Sequence, residues 1–322
     1  MKAIRVHALG GPDVLQYEEV AEPTPKQGEA LIKIDAAGVN FIDIYQRTGI
    51  YKVPLPFTLG QEGAGTVVAM GSSSADLKVG DRVAWTSILG SYAQMNTVPI
   101  DRLVTLPPGV TTKQGAALML QGMTAHYLAC TTYPIKTGDT CLIHAGAGGV
   151  GLLLTQIAKL RGARIITTVS TDDKATLSRE AGADHVVPYT SQDFEEAVKL
   201  LTGGKGVQVV YDTVGQTTSL KSMNCLAPRG MLVLYGQSSG TVAPFDPQLL
   251  AQRGSVFLTR PTLGNYTATR AELQERATDL FGWIAAGKLR LRTEYEFPLK
   301  DAGKAHEALA GRKTTGKVLL IP

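Results

Sequence analysis

The eight residues His144-Ala145-Gly146-Ala147-Gly148-Gly149-Val150-Gly151 have the types and spacing to hold a diphosphate. Gly146, Gly148 and Gly151 fit G-x-G-x-x-G, in which one glycine makes a tight turn, one lets backbone approach a pyrophosphate, and one lets helix and strand pack closely. In a chain with 35 glycines the spacing alone carries little. The flanking residues carry the reading: a β-rich run, Thr140-Cys141-Leu142-Ile143, precedes the turn, and Leu152-Leu153-Leu154-Thr155-Gln156-Ile157-Ala158-Lys159 follows it as a helix. Phosphates would rest on the helix N-terminus, where unpaired N–H groups and the dipole favour an anion.

The end of the next strand bears on which dinucleotide is bound. Where the cofactor is NAD, an acidic residue about 20 residues past the glycines binds the ribose 2′-hydroxyl. Here the strand ends Thr167-Thr168-Val169-Ser170-Thr171, without a carboxylate. Ser170 could donate to a 2′-phosphate and Lys174, one turn into the following helix, could supply its countercharge, which favours NADPH. Asp172 and Asp173 admit two readings: first-turn acids favoured by the helix dipole, or ribose ligands selecting NAD.

Around this turn the chain changes rhythm. Up to about residue 110 it consists of short extended runs broken by glycine and proline, among them Ala30–Asp35, Gly65–Ala69, Asp81–Trp85 and Ser91–Gln94, which predicts a mostly antiparallel β domain. A helix from about Thr111 to Thr132 leads out of it. From Thr140 strands and helices alternate, with strands at Thr140–His144, Arg164–Val169, His185–Val187, Val207–Tyr211, Met231–Tyr235 and Ser255–Thr259. Six such strands predict an α/β, doubly wound parallel sheet. A helix at Thr267–Ala286, a β run at Leu289–Phe297, a helix at Lys300–Ala310 and a last strand Lys317–Ile321 do not continue the alternation, so they are expected to rejoin the first domain. The expected boundaries are residues 1–123 with 264–322 for one domain and 124–263 for the dinucleotide-binding domain inserted into it, with the active site in the cleft between the two.

Composition excludes several classes. At 322 residues, 44% hydrophobic and 19% charged, the chain reads as an ordinary globular protein of about two domains. A net charge of +4, from 32 basic and 28 acidic residues that are scattered, argues against nucleic acid or an anionic membrane as partner. No apolar run approaches the length of a membrane helix and the N-terminal residues do not form a signal peptide, so the expected location is cytoplasmic. Cys130, Cys141 and Cys225 lack C-x-x-C spacing, and His7, His126, His144, His185 and His306 form neither a metal set nor a triad, so no metal is expected. His144 adjoins the glycine turn, where a strand-end histidine is ordinarily structural.

Four segments together resemble the zeta-crystallin-type quinone oxidoreductases of the medium-chain dehydrogenase/reductase superfamily: the glycine motif Ala145–Gly151, Ala36-Ala37-Gly38-Val39-Asn40-Phe41-Ile42-Asp43-Ile44-Tyr45, Leu59-Gly60-Gln61-Glu62-Gly63-Ala64-Gly65, and Tyr211-Asp212-Thr213-Val214-Gly215. The resemblance implies a GroES-like β domain interrupted by a Rossmann domain with a six-stranded parallel sheet, assembled as a homodimer. Zinc-dependent relatives have Cys, His and Cys where this chain has Asn40, Gln61 and Gln121, and amides are poor zinc ligands.

Residue by residue, the resemblance implies that Asn40, Asp43 and Tyr45 lie beside the nicotinamide or the acceptor. Tyr127, Gly148, Gly149 and Val150, in the turn with Gly146 and Gly151, meet the pyrophosphate; Ser170 and Lys174 meet the 2′-phosphate. Tyr189 and Thr213 line the adenosine side. Tyr235, Gly236, Gln237, Pro261, Thr262 and Leu263 edge the nicotinamide, and Lys317 completes the pocket. Gln237 stands where close relatives often have Asn.

The implied reaction is hydride transfer from NADPH to a quinone, an acceptor electrophilic enough to need no Lewis acid, so that positioning carries much of the catalysis. Tyr45 and Arg260, with Asn40 and Asp43, are the candidate catalytic residues, the first two orienting the acceptor and stabilising charge on its oxygen. One alternative is an NADPH-dependent reductase of α,β-unsaturated carbonyls. Another, of a different class, is a non-catalytic NADPH-binding structural or RNA-binding protein.

Overall fold

The computed structural model describes residues 1–322. In chain order the first part contains β1 (Lys2–Val6), β2 (Leu15–Glu19), β3 (Glu29–Val39), α1 (Phe41–Arg47), β4 (Phe57–Thr58), β5 (Glu62–Met70), β6 (Arg82–Thr86), β7 (Met95–Pro99), β8 (Val104–Thr105) and α2 (Thr112–Tyr127). There follow β9 (Thr140–Ile143), α3 (Gly149–Leu160), β10 (Arg164–Val169), α4 (Asp172–Glu180), β11 (His185–Pro188), α5 (Phe194–Leu201), β12 (Val207–Asp212), α6 (Ser219–Asn224), β13 (Leu226–Leu234), α7 (Gln248–Gln252), β14 (Phe257–Thr259) and α8 (Leu263–Tyr266). The chain closes with α9 (Arg270–Ala285), β15 (Tyr295–Pro298), α10 (Ala302–Ala310) and β16 (Val318–Ile321).

Two compact units result: Met1–Met123 with Thr267–Pro322, and Thr124–Tyr266. The chain stays with the second unit through Tyr266, three residues beyond 263, because the Tyr266 ring stacks on Tyr127 with centroids 4.3 Å apart and planes 11° apart. No helix is long and apolar enough to cross a membrane.

In the first unit β3 is the organising strand. It pairs antiparallel with β5, β7 and β16, and the last carries β15 in parallel. Alternation along β3 sends Ile32 and Ile34 into a core with Val67, Val83, Trp85 and Val98. A second cluster, Ile4, Val6, Val39, Phe57, Leu59, Tyr92 and Leu320, closes over the smaller sheet β2-β1-β4. Two sequence expectations shift here. Ser91–Gln94 is not a strand, because its backbone follows Gly60, Leu59 and Ile4 in irregular pairings (Ser91 N–H to Gly60 O, Tyr92 N–H to Leu59 O, Ile4 N–H to Tyr92 O); the strand is Met95–Pro99. The late β run begins at Tyr295 rather than Leu289, where it first finds β16 to pair with.

The second unit holds six parallel strands in the order β11-β10-β9-β12-β13-β14. Helices cover such a sheet on both faces, so its strands are near-continuously apolar. Leu142, Ile166, Val210 and Leu232 pack with Phe194 and Val198 of α5 and Met223 of α6. Strand order reverses between β9 and β12, the switch point at whose carboxyl ends doubly wound sheets bind ligands.

Candidate active site

The loop after β9 makes its left-handed turn at Ala145, with φ of 53°, and not at a glycine. Such a conformation in a residue with a Cβ costs on the order of 1 kcal/mol, and it is held by Gly146 N–H donating to Thr168 O at 3.0 Å and Gly148 N–H to Ala145 O at 2.9 Å. The glycines serve close approach instead. A Cβ on Gly151 would lie 2.2 Å from Ala145 O, and one on Gly146 would lie 2.6 Å from Thr167 Cβ. Helix α3 starts after Gly148 with no side chain capping it, and Gly148, Gly149 and Val150 are partly exposed. An uncapped helix start with open backbone is a place for an anionic ligand.

The other carboxyl-end loops of the sheet gather the remaining dinucleotide candidates. Ser170 follows β10, and Tyr189 follows β11 with its N–H donating to Val169 O at 3.0 Å, while Thr190 Oγ1 donates to Ser170 O at 3.2 Å. Ser170, Lys174 and Tyr189 therefore share one corner. Thr171 caps α4 by accepting from Lys174 N–H, and Asp172 and Asp173 are exposed first-turn acids of that helix. Thr213 follows β12; its carbonyl accepts from Ser238 N–H at 3.1 Å, which ties it to the Tyr235-Gly236-Gln237 loop after β13. Arg260, Pro261, Thr262 and Leu263 follow β14. The Arg260 guanidinium donates from Nη1 to Leu234 O at 3.0 Å and so braces the β13 end. Tyr127 is buried and stacked on Tyr266. These loops fit a dinucleotide with a 2′-phosphate: a bare helix N-terminus for the pyrophosphate, and a hydroxyl with an ammonium-bearing side chain at the β10 end for the extra phosphate.

In the first unit, Asn40 sits at the end of β3 as the residue before α1, and a buried polar cluster forms around it. Its Nδ2 donates to Glu62 Oε2 at 2.9 Å, its Oδ1 accepts from Lys317 Nζ at 2.8 Å, and Gln121 Nε2 donates to Oδ1 at 3.4 Å. Glu62 also accepts from Lys317 Nζ through Oε2 and from Leu120 N–H through Oε1 at 2.6 Å. Lys317 is 2% exposed and Glu62 0%. Gly38 must be glycine here, because a Cβ would fall 2.3 Å from Glu62 Oε2 and 2.7 Å from Ala116 O. Gln61 is partly buried just before β5.

A hydrogen-bonded line runs on from Asn40. Asp43 Oδ2 accepts from Asn40 N–H at 2.8 Å and from Tyr92 O–H at 3.0 Å, while its Oδ1 is buried without a partner. Since Tyr92 donates to Asp43, His306 Nε2 donates to Tyr92 across 3.1 Å and His306 Nδ1 accepts from Arg47 Nη1 across 3.5 Å. Burial pushes the Asp43 carboxyl up to about 7, against the Asn40 N–H, Tyr92 and Lys317, which pull it down. Burial likewise takes His306 down to about 3, helped by the Arg47 charge, and raises the Tyr92 phenol well above its usual value. Asp43 thus lies inside the fold, holding Asn40 and the start of α1. Tyr45, two residues on, is 8% exposed and meets Tyr51 edge-on with centroids 5.4 Å apart, and Phe41 at 6.2 Å.

Sequence reasoning missed four residues of these networks. Glu62 lies within the Gly-Gln-Glu-Gly segment, a signal that could have singled it out, whereas Arg47 reads as an ordinary last-turn cation of a helix. Tyr92 and His306 carry no local signal, being 214 residues apart in sequence.

A nucleotide-binding edge on a parallel sheet, together with a separate β unit that holds a buried polar cluster, defines the class of two-domain nicotinamide-dependent dehydrogenases and reductases. Residues 26–130 match the family described as alcohol dehydrogenase GroES-like domain, and residues 149–281 match that described as zinc-binding dehydrogenase. The quinone oxidoreductase of Pseudomonas aeruginosa is 45% identical over 100% of this chain and 99% of its own length. A 2-haloacrylate reductase from Burkholderia is 42% identical over 98% of each. The crystal structure of Escherichia coli quinone oxidoreductase complexed with NADPH superposes with a TM-score of 0.98 at 43% identity, covering 100% of both chains. The chain belongs to the zeta-crystallin-like quinone oxidoreductase family of the medium-chain dehydrogenase/reductase superfamily.

Proposed function

We propose that this protein is an NADPH:quinone oxidoreductase that works without a metal ion, as a cytoplasmic homodimer. The observation that carries the reading is the carboxyl edge of the parallel sheet, where the uncapped start of α3 and the Ser170–Lys174–Tyr189 corner together match a 2′-phosphorylated dinucleotide. The E. coli relative bound to NADPH supports the choice of cofactor. When bound, the reduced nicotinamide supplies a hydride. The chain's residues hold and orient: Gly149 and Val150 offer backbone N–H groups to the pyrophosphate beside Gly148, whose own N–H is held by Ala145 O, and Thr213, Tyr235, Gln237 and the Arg260–Leu263 segment border the rest.

Tyr45, walled by Phe41 and Tyr51, orients a flat conjugated acceptor. Arg260 stabilises charge on its oxygen while braced on Leu234 O. Asn40 is fixed from both ends, by Asp43 at its N–H and by Glu62 and Lys317 at its amide. The donor chemistry here opposes zinc. Asn40, Gln61 and Gln121 offer amides, and the Lys317 ammonium already occupies the Asn40 oxygen that a cation would need. The exposed edge strand β14, with Phe257 57% exposed, offers a surface to a second copy.

The Burkholderia relative favours a second reading, reduction of an activated carbon–carbon double bond by the same hydride donor. Oxidation of NADPH and NADH against a panel of quinones, enones, haloacrylates and simple ketones, with elemental analysis of the same chelator-treated protein, separates these readings. Quinones are expected as best acceptors, with full turnover in metal-free protein. Enones or haloacrylates ahead of quinones would shift the assignment to the second reading, and stoichiometric zinc whose removal abolishes turnover would end the metal-free one.

Lys174→Ala is expected to weaken NADPH binding by ~1–2 kcal/mol, roughly 5- to 30-fold, through loss of one countercharge at a partly exposed phosphate site. NADH binding should hardly change in the same fluorescence titration. A wild-type protein that binds NADH more tightly than NADPH would instead make Asp172 or Asp173 the ribose ligand.

A further inference from the structure

We infer that His144, through Thr168, is a positioning residue that sets selectivity for the 2′-phosphorylated cofactor; the inference rests on the NADPH reading above. His144 stands at the end of β9 as the first residue of the glycine turn, and its buried ring spans from the β10 end to α6. Nδ1 lies 2.9 Å from Thr168 Oγ1 of β10, and Nε2 lies 2.9 Å from Ser222 Oγ of α6. The Phe194 ring packs edge-on against it, with centroids 4.7 Å apart and an interplanar angle of 81°.

The donors in this network have one consistent direction. Ser222 Oγ–H donates to Asp212 Oδ2 at 2.8 Å, so Ser222 Oγ accepts from His144 Nε2–H. That leaves His144 Nδ1 as an acceptor, and Thr168 Oγ1–H fills it. Asp212 is itself saturated: Oδ1 accepts from Val214 N–H at 2.8 Å and Gly215 N–H at 3.0 Å, and Oδ2 also accepts from Thr218 Oγ1–H at 2.7 Å. One neutral imidazole therefore ties the β10 end on one side to the β12 end on the other, from the root of the glycine turn.

The link has a consequence for the cofactor because of strand geometry. Thr168 is the last residue but one of β10, and Ser170 follows it two positions on, as the first residue past the strand. Thr168 also receives Gly146 N–H at its carbonyl, so the turn and the β10 end are fastened twice, once by backbone and once by the His144 ring. Releasing the ring bond removes the side-chain tie from β9 to the segment that carries Ser170 into α4 and Lys174, which keeps its bonds to the β11 end and the Gly146 backbone bond. Contacts to a 2′-phosphate loosen, whereas the pyrophosphate contacts at α3 remain on the backbone fastening.

Three substitutions separate the two sides of the ring. Thr168→Val removes the hydroxyl with little change of shape. His144→Gln can keep a donor where Nε2 was and loses the acceptor at Nδ1; His144→Asn can keep an acceptor where Nδ1 was and loses the donor. Fluorescence titration with NADPH and NADH, beside thermal unfolding of each variant, should show the NADPH Kd rising about 10-fold and the NADH Kd about twofold or less in Thr168→Val and His144→Gln. His144→Asn should retain the wild-type ratio of the two Kd values. An unchanged ratio in Thr168→Val and His144→Gln, or parallel loss of both cofactors tracking the drop in Tm, would overturn the inference while leaving the NADPH reading intact. A wild type without preference for NADPH would overturn that reading first, and this one with it.

Discussion

Lys317→Met is expected to destabilise the protein by about 3–5 kcal/mol, the largest single-residue effect expected in the first unit. The substitution leaves the Glu62 carboxylate, 0% exposed, with Asn40 Nδ2 and Leu120 N–H but without its counter-ion. Glu62→Gln should cost a comparable amount, since it strands a buried ammonium. The Lys317→Met, Glu62→Gln double variant removes both charges and should recover a substantial part of the loss, because a buried ion pair replaced as a unit is often close to neutral. Urea unfolding of the four proteins gives the coupling energy. Additive losses would show that the pair does not act as a unit.

Asp43→Asn is expected to change the pH dependence of stability by an amount on the order of 4 kcal/mol between pH 4 and pH 8. The Asp43 carboxyl goes from 3.8 in the unfolded chain to about 7 in the fold. A raised carboxyl binds its proton more tightly when folded, so its contribution is present below about pH 4 and is lost as the pH rises to about 7. An amide in its place has no proton to lose. The variant should therefore gain on the wild type as the pH rises, whatever fixed cost the amide N–H groups bring at the buried Oδ1 position.

His306 has the opposite sign. Its value falls from 6.5 to about 3, so its contribution is full above about pH 6.5 and is lost as the pH falls towards 3. Between about pH 4 and 6.5 the two slopes nearly cancel in the wild type, and removing the Asp43 carboxyl exposes the His306 slope. Urea midpoints at pH 4.5, 6 and 8 measure this. A wild-type-to-variant difference that does not move with pH would show that Asp43 titrates as an ordinary carboxyl.

The strand–turn–helix at 140–159, the β/α alternation through 259 and the amides at 40, 61 and 121 are legible because each is a local pattern of side-chain period, turn chemistry or residue type. So the parallel sheet and the end of it that carries the dinucleotide candidates follow from residues near one another in the chain. The role of each glycine does not follow. Turn chemistry assigns the left-handed conformation to a glycine, yet Ala145 takes it, and the glycines stand instead where the turn passes Thr167 of β10 and where α3 meets the Ala145 carbonyl.

What only the tertiary structure decided is the pairing of buried polar groups. Lys317 meets Glu62 across 255 residues of sequence and Asn40 across 277, and His144 meets Ser222 across 78. No periodicity announces these contacts, since a charged or polar residue in a mostly apolar segment reads the same whether it faces solvent or a partner. Burial forces the choice: an unpartnered buried charge is too costly to keep, so the fold must bring a complement from wherever the chain supplies one. For the same reason Asp43 reads as a candidate catalytic carboxylate in sequence and stands in the structure as the buried anchor of Asn40.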